Sequence, residues 1–401
     1  MTDPWEAFVA RSDGAEIAGY FERRPDRREG PGAAVAFVGA DFVETLTPRT
    51  DLEELTRATG RFLRSGRRGR AVLGYAGFDA VGLFEPALRD FPEGSPFPLG
   101  EFAFVERAEA RALPPRRRSP GRATAPPATA LRPAADSLPR ARFVESVRRL
   151  RRDIRDGEAY QIVLAHRRRW SRPDDLLGRA GRLRASERYA YFYYLRFRDR
   201  EIVGASPESV VEVHGTRALV NPIAGTIWRG PGSPHRLPLE VDPKELAEHR
   251  MLVDLARNDL GAIARPGSVH LPWTERRVRY ARVDHLVSRV AATLRAGVGP
   301  WQALGATFPA GTVSGAPKIR ATELLRREER TWRGPYAGAV GLLLPGGRAD
   351  FALAIRTAFA EGRHLYTAAG GGVVYRSRPA QEFRETLAKL AQVEATFVED
   401  R

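Results

Sequence analysis

The sequence predicts a mixed α+β fold built on large antiparallel sheets, and three observations carry that reading. Segments such as QIVLAHRRRW (161–170) and YAYFYYLRF (189–197) are β-rich, the second dense in aromatic rings. Other segments place apolar residues at helical spacing, as Phe143, Val147, Leu150 and Ile154 do. Strands and helices alternate without the regular strand–helix–strand rhythm of a parallel sheet.

Taken in order, residues 1–106 alternate short apolar runs, AAVAFVGADFV and RAVLGYAGFDAVGLF, with turn residues, which suits an N-terminal α/β region. Residues 107–140 are rich in Pro, Ala and Arg, lack apolar periodicity and read as a linker or surface loop. A larger C-terminal region then spans 141–401. It opens on the helix of RFVESVRRLRRDIRDGEAY. PKELAEHRMLVDLARNDLG is a second helix, with Pro243 just inside its start and Gly261 near its end. A third begins near Pro379 and runs through AQEFRETLAKLAQVEATF. No internal repeat is visible.

At 401 residues the chain can bury a large core, as two domains or one. No apolar run approaches the roughly 20 residues that span a bilayer. The early acids of MTDPWEAFVARSDGAE do not resemble a signal peptide. A cytoplasmic protein without membrane partners is the expectation. Cysteine is absent, which excludes disulfides, thiolate metal sites and a Cys nucleophile in this polypeptide. The net charge of +16 raises the possibility of a nucleic-acid partner. The excess is diffuse, however: among 65 basic residues only Lys244, Lys318 and Lys389 are lysines. That skew resembles a coding bias, so no nucleic acid is expected. Runs such as Arg116–Arg118 and Arg167–Arg169 read as solvated faces or loops, and the net charge helps attract a small anion.

Two helices carry glutamates at i and i+3, on one face each: Glu245 with Glu248, and Glu382 with Glu385. Such pairs are ordinarily solvated. If they converge, oxygen-only ligation suits Mg²⁺. A di-iron centre fits less well, because it wants a Glu-x-x-His on each of two helices. The glycine-rich segments PIAGT (222–226), PAGTVSGAPK (309–318) and AAGGGVV (368–374) each read as turns. If the fold gathers them, their backbone N–H groups suit a small anionic ligand. None matches a nucleotide phosphate loop.

Ten motifs in order now carry a resemblance: YQIVLAHR, GASPE, NPIAGT, KELAEHRMLVDLARNDLG, VDHLVS, FPAGTVSGAPKIRATELL, RGPYAGAVG, AIRT, AGGGVVYRS and QEFRETLAK. The series resembles the chorismate-utilising enzymes, which include anthranilate synthase component I, aminodeoxychorismate synthase component I and the isochorismate and salicylate synthases. It covers about residues 141–395, with a fainter echo in GYAGFDAVGLFEP. The resemblance implies an α/β sandwich of two large antiparallel sheets with helices outside. It implies Mg²⁺ held by Glu248 and Glu385, with Glu245 and Glu382 beside them. Glu208 would protonate the departing 4-hydroxyl of chorismate, which requires a raised pKa. Tyr336 and Arg356, with backbone N–H groups at Gly370 and Gly372, would clamp the enolpyruvyl carboxylate. Thr226, Thr312 and Lys389 would line the pocket, and His285 would serve a later pyruvate elimination.

Within the family, water-using members are expected to carry a basic lysine where this chain has Gln161. Glutamine cannot activate water, which points to ammonia as the nucleophile. Many enzymes aminating C4 have lysine within PIAGT where this chain has Ala224, so attack at C2 is implied. The leading reading is an anthranilate-synthase-type aminase subunit. Its ammonia would come from a separate glutamine amidotransferase subunit or from solution. Alternatives are an enzyme that stops at 2-amino-2-deoxyisochorismate, one that aminates C4, and an inactive paralogue or basic binding module. Ile227, Trp228, Asp284, Gly371, Val373 and Arg376 depart from the usual motifs and keep both C2 products open. YFERRP (20–25) and ASERYAYFYY (185–194) stand near the family's tryptophan feedback motifs but match neither, which implies no tryptophan inhibition.

Overall fold

The computed structural model describes residues 3–24, 32–64, 69–113, 133–186, 189–228, 242–279 and 283–398. Every paired strand among them is antiparallel, and the strands form two ten-stranded sheets. The long order of the first sheet runs Gly315–Ala316, Gln161–Ser171, His364–Val373, Thr357–Glu361, Arg200–Ser206, Tyr191–Phe197, Ile17–Arg23, Gly32–Val38, Glu109–Leu113. The second runs Ile223–Trp228, Val283–Thr293, Arg217–Val220, Ser209–His214, Arg348–Leu353, Ala339–Leu344, Ala71–Ala76, Gly100–Val105, Phe42–Leu46. The α+β sandwich of two large antiparallel sheets is therefore the observed architecture.

The aromatic run at 191–197 shows why the first sheet has so little polar alternation. Tyr191, Tyr193, Leu195 and Phe197 enter the core shared with the second sheet, beside Leu73, Phe102 and Val211. Phe192 and Tyr194 point the other way, into a core with Trp5 and Phe8 of the helix Pro4–Ser12 and Leu183 of the helix Leu176–Ser186. A strand sends neighbours to opposite faces, so a strand buried on both sides must be apolar throughout.

Helices cover the outer faces. Pro243–Gly261 packs on the strands Ile223–Trp228 and Val283–Thr293, while Pro379–Phe397 packs on His364–Val373. Both helices start at the expected prolines.

Three expectations need amending. Residues 109–113 pair with the strand Gly32–Val38, and 135–136 with Gln161–Ser171, so both ends of the expected linker are built into the first sheet. Residues 114–132, including Arg116–Arg118, lie outside the described set. Strands from the N-terminal region also enter both sheets, so no sheet boundary separates residues 1–106 from the rest. Arg167–Arg169 is not a solvated face. The Arg167 guanidinium lies 3.3 Å from the Trp332 ring centroid and donates to the Trp332 carbonyl, and burial lowers its pKa to about 10. Arg168 pairs with Glu394 at 3.2 Å.

The second sheet is tight where Ala71–Ala76 meets Gly100–Val105. A Cβ at Gly74 would collide with the backbone carbonyl of Glu101. Gly74→Ala is expected to lose about 1–3 kcal/mol of stability by overpacking. Urea unfolding measures this, and an unchanged midpoint would contradict the close approach.

Candidate active site

The chain passes between the two sheets at two adjoining places. After Arg200–Ser206 in the first sheet, Pro207 and Glu208 lead into Ser209–His214 in the second. After Arg348–Leu353 in the second, Ala354, Ile355 and Arg356 lead back to Thr357–Glu361 in the first. The crossings are bonded together: Leu353 N donates to Glu208 O (2.9 Å) and Ala205 N to Arg356 O (3.3 Å). Arg356 holds a left-handed φ of 52°, and Ala337, just after Tyr336, one of 63°. Such backbone costs energy in a non-glycine residue and gathers at functional sites. Here Ala337 N bonds to Ala354 O at 2.9 Å, which holds the two left-handed turns side by side.

Glu208 is buried, and the Thr312 hydroxyl donates to its Oε1 at 2.8 Å. Burial pushes its carboxyl up to about 8, against the downward pull of Thr312 and of the Arg356 charge. Burial therefore favours the protonated form of this carboxyl. A cleft opens beside it, lined by Glu208, Thr312, Pro222, Leu252, Leu255 and Asp259. With its open mouth included, the space is about 350 Å³.

The glycine run predicted as a turn is instead the end of a strand. Gly370, Gly371 and Gly372 belong to His364–Val373 and pair with Ala165, Leu164 and Val163. A Cβ on Gly372 would meet Gln161 Nε2 at 2.5 Å, and one on Gly370 would meet the Tyr336 Oη at 3.2 Å. These glycines thus bring the strand backbone against Gln161 and Tyr336. The Gln161 Oε1 is buried without a hydrogen-bond partner. Lys389 donates to the Gly370 carbonyl at 3.0 Å. Glu382 Oε2 lies 3.6 Å from where a Gly371 Cβ would stand, while Glu385 is exposed and accepts from Gln381. The segment carrying Thr312 joins the two groups, because Val163 N bonds to Ser314 O and Ala316 pairs with Gln161.

Glu245 and Glu248 share a helical stripe with the cleft residues Leu252, Leu255 and Asp259. Glu245 is buried and Glu248 half-buried. The same helix packs on the strand of His285, which is buried and stands opposite Thr226 in the ladder. The side chain of Thr226 lies outside the described set. The four glutamates fit a hard cation in donor type. They do not form a closed cage, because no three of their oxygens lie within 4.8 Å of one another among the described residues. The group that does is Glu212, His214 and Asp350, where Arg23 already pairs with Glu212 at 2.6 Å.

Sequence reasoning overlooked a buried set around Arg333. Its guanidinium meets Glu329 at 2.6 and 2.9 Å, and the Arg333 and Gly334 N–H groups donate to Asp79 Oδ2. A charged Asp79 inside the apolar run GFDAVGLF was the available signal.

A family model for chorismate binding enzymes matches residues 19–395. Anthranilate synthase component 1 of Streptomyces coelicolor is 39% identical over 368 residues, which cover 79% of this chain and 71% of the relative. The protein of the same name from Lactococcus lactis is 41% identical over 251 residues, or 62% of this chain. The chain spans a little over half of that relative's length, 55%. A crystal structure of anthranilate synthase component I from Streptococcus pneumoniae is 29% identical with a TM-score of 0.76, covering 90% of this chain and 92% of that one. Among the described residues no helix is long and apolar enough to cross a membrane. On the matched length and the shared fold, the chain belongs to the chorismate-binding enzyme family.

Proposed function

We propose that the chain aminates chorismate at C2 with ammonia, with pyruvate elimination to anthranilate as the leading outcome. The observation that carries the reading is the buried Glu208 carboxyl at the sheet crossing, held by the Thr312 hydroxyl near a strand end where Gln161 offers an amide and no base. A neutral carboxylic acid beside a positive Arg356 suits the loss of a hydroxyl from an anionic substrate. As the C2–N bond forms, the C4–O bond breaks, and the hydroxyl leaves as water with the proton of Glu208. Arg356, Tyr336 and the N–H groups of the glycine strand would hold the enolpyruvyl carboxylate, with Lys389 and Thr312 beside them. Gln161, lacking a useful pKa, would accept a hydrogen bond from ammonia through its Oε1. His285 would act in the elimination.

Mg²⁺ is proposed as the cofactor, between the helices of Glu245 and Glu248 and of Glu382 and Glu385. It keeps several waters and bridges anionic ligands, so widely set carboxylates suit it. Bound there, it would neutralise the ring carboxylate of the substrate. A separate glutamine amidotransferase is the proposed ammonia source, and the cytoplasm the proposed location.

The segments near the feedback motifs meet in the structure. Glu22 accepts from Tyr20, Tyr189 and Arg184 at 2.8, 2.7 and 2.8 Å, and also from Arg24. The Glu22 carboxylate is thus already engaged by the chain's own groups, in keeping with the proposed absence of tryptophan feedback.

The pure chain is expected to consume chorismate with ammonium and Mg²⁺ and not with glutamine. Mass and fluorescence identify the product, and glutamine-dependent turnover would refute the external ammonia source. Recovery of 2-amino-2-deoxyisochorismate alone would remove the elimination step. Turnover should fall as pH rises through about 8, where Glu208 loses its proton. Glu208→Gln should lower kcat by about 10²- to 10⁴-fold while the protein stays folded. A pH-independent rate, or an active Gln variant, would remove Glu208 as the acid. Tryptophan added to the ammonium-dependent assay should leave the rate unchanged, and clear inhibition at low concentration would overturn that reading.

A further inference from the structure

Arg333 is fully enclosed, and its donors reach four separate parts of the site. Nε and Nη2 hold Glu329, Nη1 donates to the Val313 carbonyl at 2.7 Å, and Nη2 also donates to the Val163 carbonyl at 2.7 Å. Glu329 Oε1 takes a further N–H from Ala165 at 2.7 Å. Asp79, from the N-terminal part of the chain, accepts the backbone N–H of Arg333 at 3.0 Å and of Gly334 at 2.7 Å. The guanidinium carbon lies 4.3 Å from the Phe78 ring centroid.

Each carbonyl belongs to a segment bearing a proposed site residue. Val313 follows Thr312, whose hydroxyl holds Glu208. Val163 lies two residues from Gln161 and opposite Gly372. Tyr336 is three residues beyond Arg333 itself. A planar guanidinium can serve two carbonyls and a carboxylate in one geometry, whereas an ammonium cannot reproduce that fork. Losing it would leave buried carbonyls unsatisfied and free the loop that carries Thr312.

We propose that Arg333, gripped by Glu329 and Asp79, is a positioning residue that sets Thr312 against Glu208 and Gln161 against the glycine strand. Arg333 itself touches no reacting group. Only the turnover part of its test rests on the proposed function. The charged groups facing Glu208 are Arg356 and, across the cleft, Asp259 with its partner Lys318 at 2.8 Å. Thr312 pulls the Glu208 carboxyl down, so a displaced Thr312 lets it rise.

The test compares Arg333→Lys, Thr312→Val and the double variant. ¹³C NMR of glutamate-labelled, substrate-free protein follows the Glu208 carboxyl, with Glu208→Gln for assignment. Circular dichroism and thermal melts report folding. Arg333→Lys should shift the Glu208 midpoint to higher pH by as much as Thr312→Val, and the double variant no further. With chorismate and ammonium, kcat should fall about 10²-fold in Arg333→Lys with KM little changed. A folded Arg333→Lys with an unmoved midpoint, or shifts that add in the double variant, would overturn the proposal. If Arg333→Lys does not fold, Glu329→Gln is expected to move the midpoint the same way, and an unmoved midpoint there overturns it equally. A wild-type chain that titrates as described but consumes no chorismate would refute the proposed function and leave the positioning role standing.

Discussion

The site depends on a constraint that belongs to the backbone before it belongs to any side chain. Two large sheets share one chain, so the chain must cross between them, and a crossing interrupts the ladder that satisfies N–H and C=O groups. Here two crossings lie against each other and supply one another's partners, Leu353 to Glu208 and Ala205 to Arg356. That mutual bonding gives irregular, buried backbone partners that the interrupted ladders cannot supply. It also fixes an acid and a guanidinium at one spot, on rigid strand ends rather than on a free loop. The raised proton affinity of Glu208 follows from this placement: the side chain is buried, and Thr312 and Arg356 offset only part of the cost of burying the charge.

The same sandwich hides a set of buried carboxylates that share one design. Glu22, Glu101, Glu201 and Glu212 are each almost fully enclosed. Each accepts from a tyrosine hydroxyl, of Tyr20, Tyr75, Tyr194 and Tyr191 in turn. Each also has a nearby guanidinium, of Arg184, Arg200, Arg196 and Arg23. Burial alone would raise both Glu22 and Glu212, yet Arg184 and Arg24 beside Glu22, and His214 ahead of Arg23 beside Glu212, prevail and hold both below the usual range. Two of these clusters, Glu101 with Arg200 and Glu212 with Arg23, run from one sheet to the other. A buried pair is weak evidence for added stability, but removing one partner alone is costly because it strands the other charge.

Much of this was legible in the residues. The helices at 243–261 and 379–397 declared themselves through proline starts and apolar spacing. Long aromatic runs without a parallel rhythm gave antiparallel sheets. Motif order singled out Glu208, Thr312, Gln161 and the glycine segment, which the structure links through 312–316 and the two crossings. What stayed hidden has a common cause. Charge and composition do not say which way a side chain points, so Arg167 read as a solvated arginine and Arg333 drew no reading of its own, although both are enclosed by aromatic or acidic neighbours. Gly370–Gly372 read as a turn because glycine marks two different things: a bend in the backbone, or a place where something must come close. Only the strand partners show that the second applies here.

The weaving of early strands into both sheets has a consequence for how the chain reaches its native state. Ile17–Arg23 pairs with Tyr191–Phe197, and Ala71–Ala76 with Ala339–Leu344. These pairings close loops far longer than a hairpin, and such contacts slow folding because chain entropy is lost before they reward it. Until residues 339–344 arrive, the strand Ala71–Ala76 keeps one unpaired edge, a template for pairing with another chain. The molecule should thus be most vulnerable to aggregation during synthesis, when its first third exists and its last third does not.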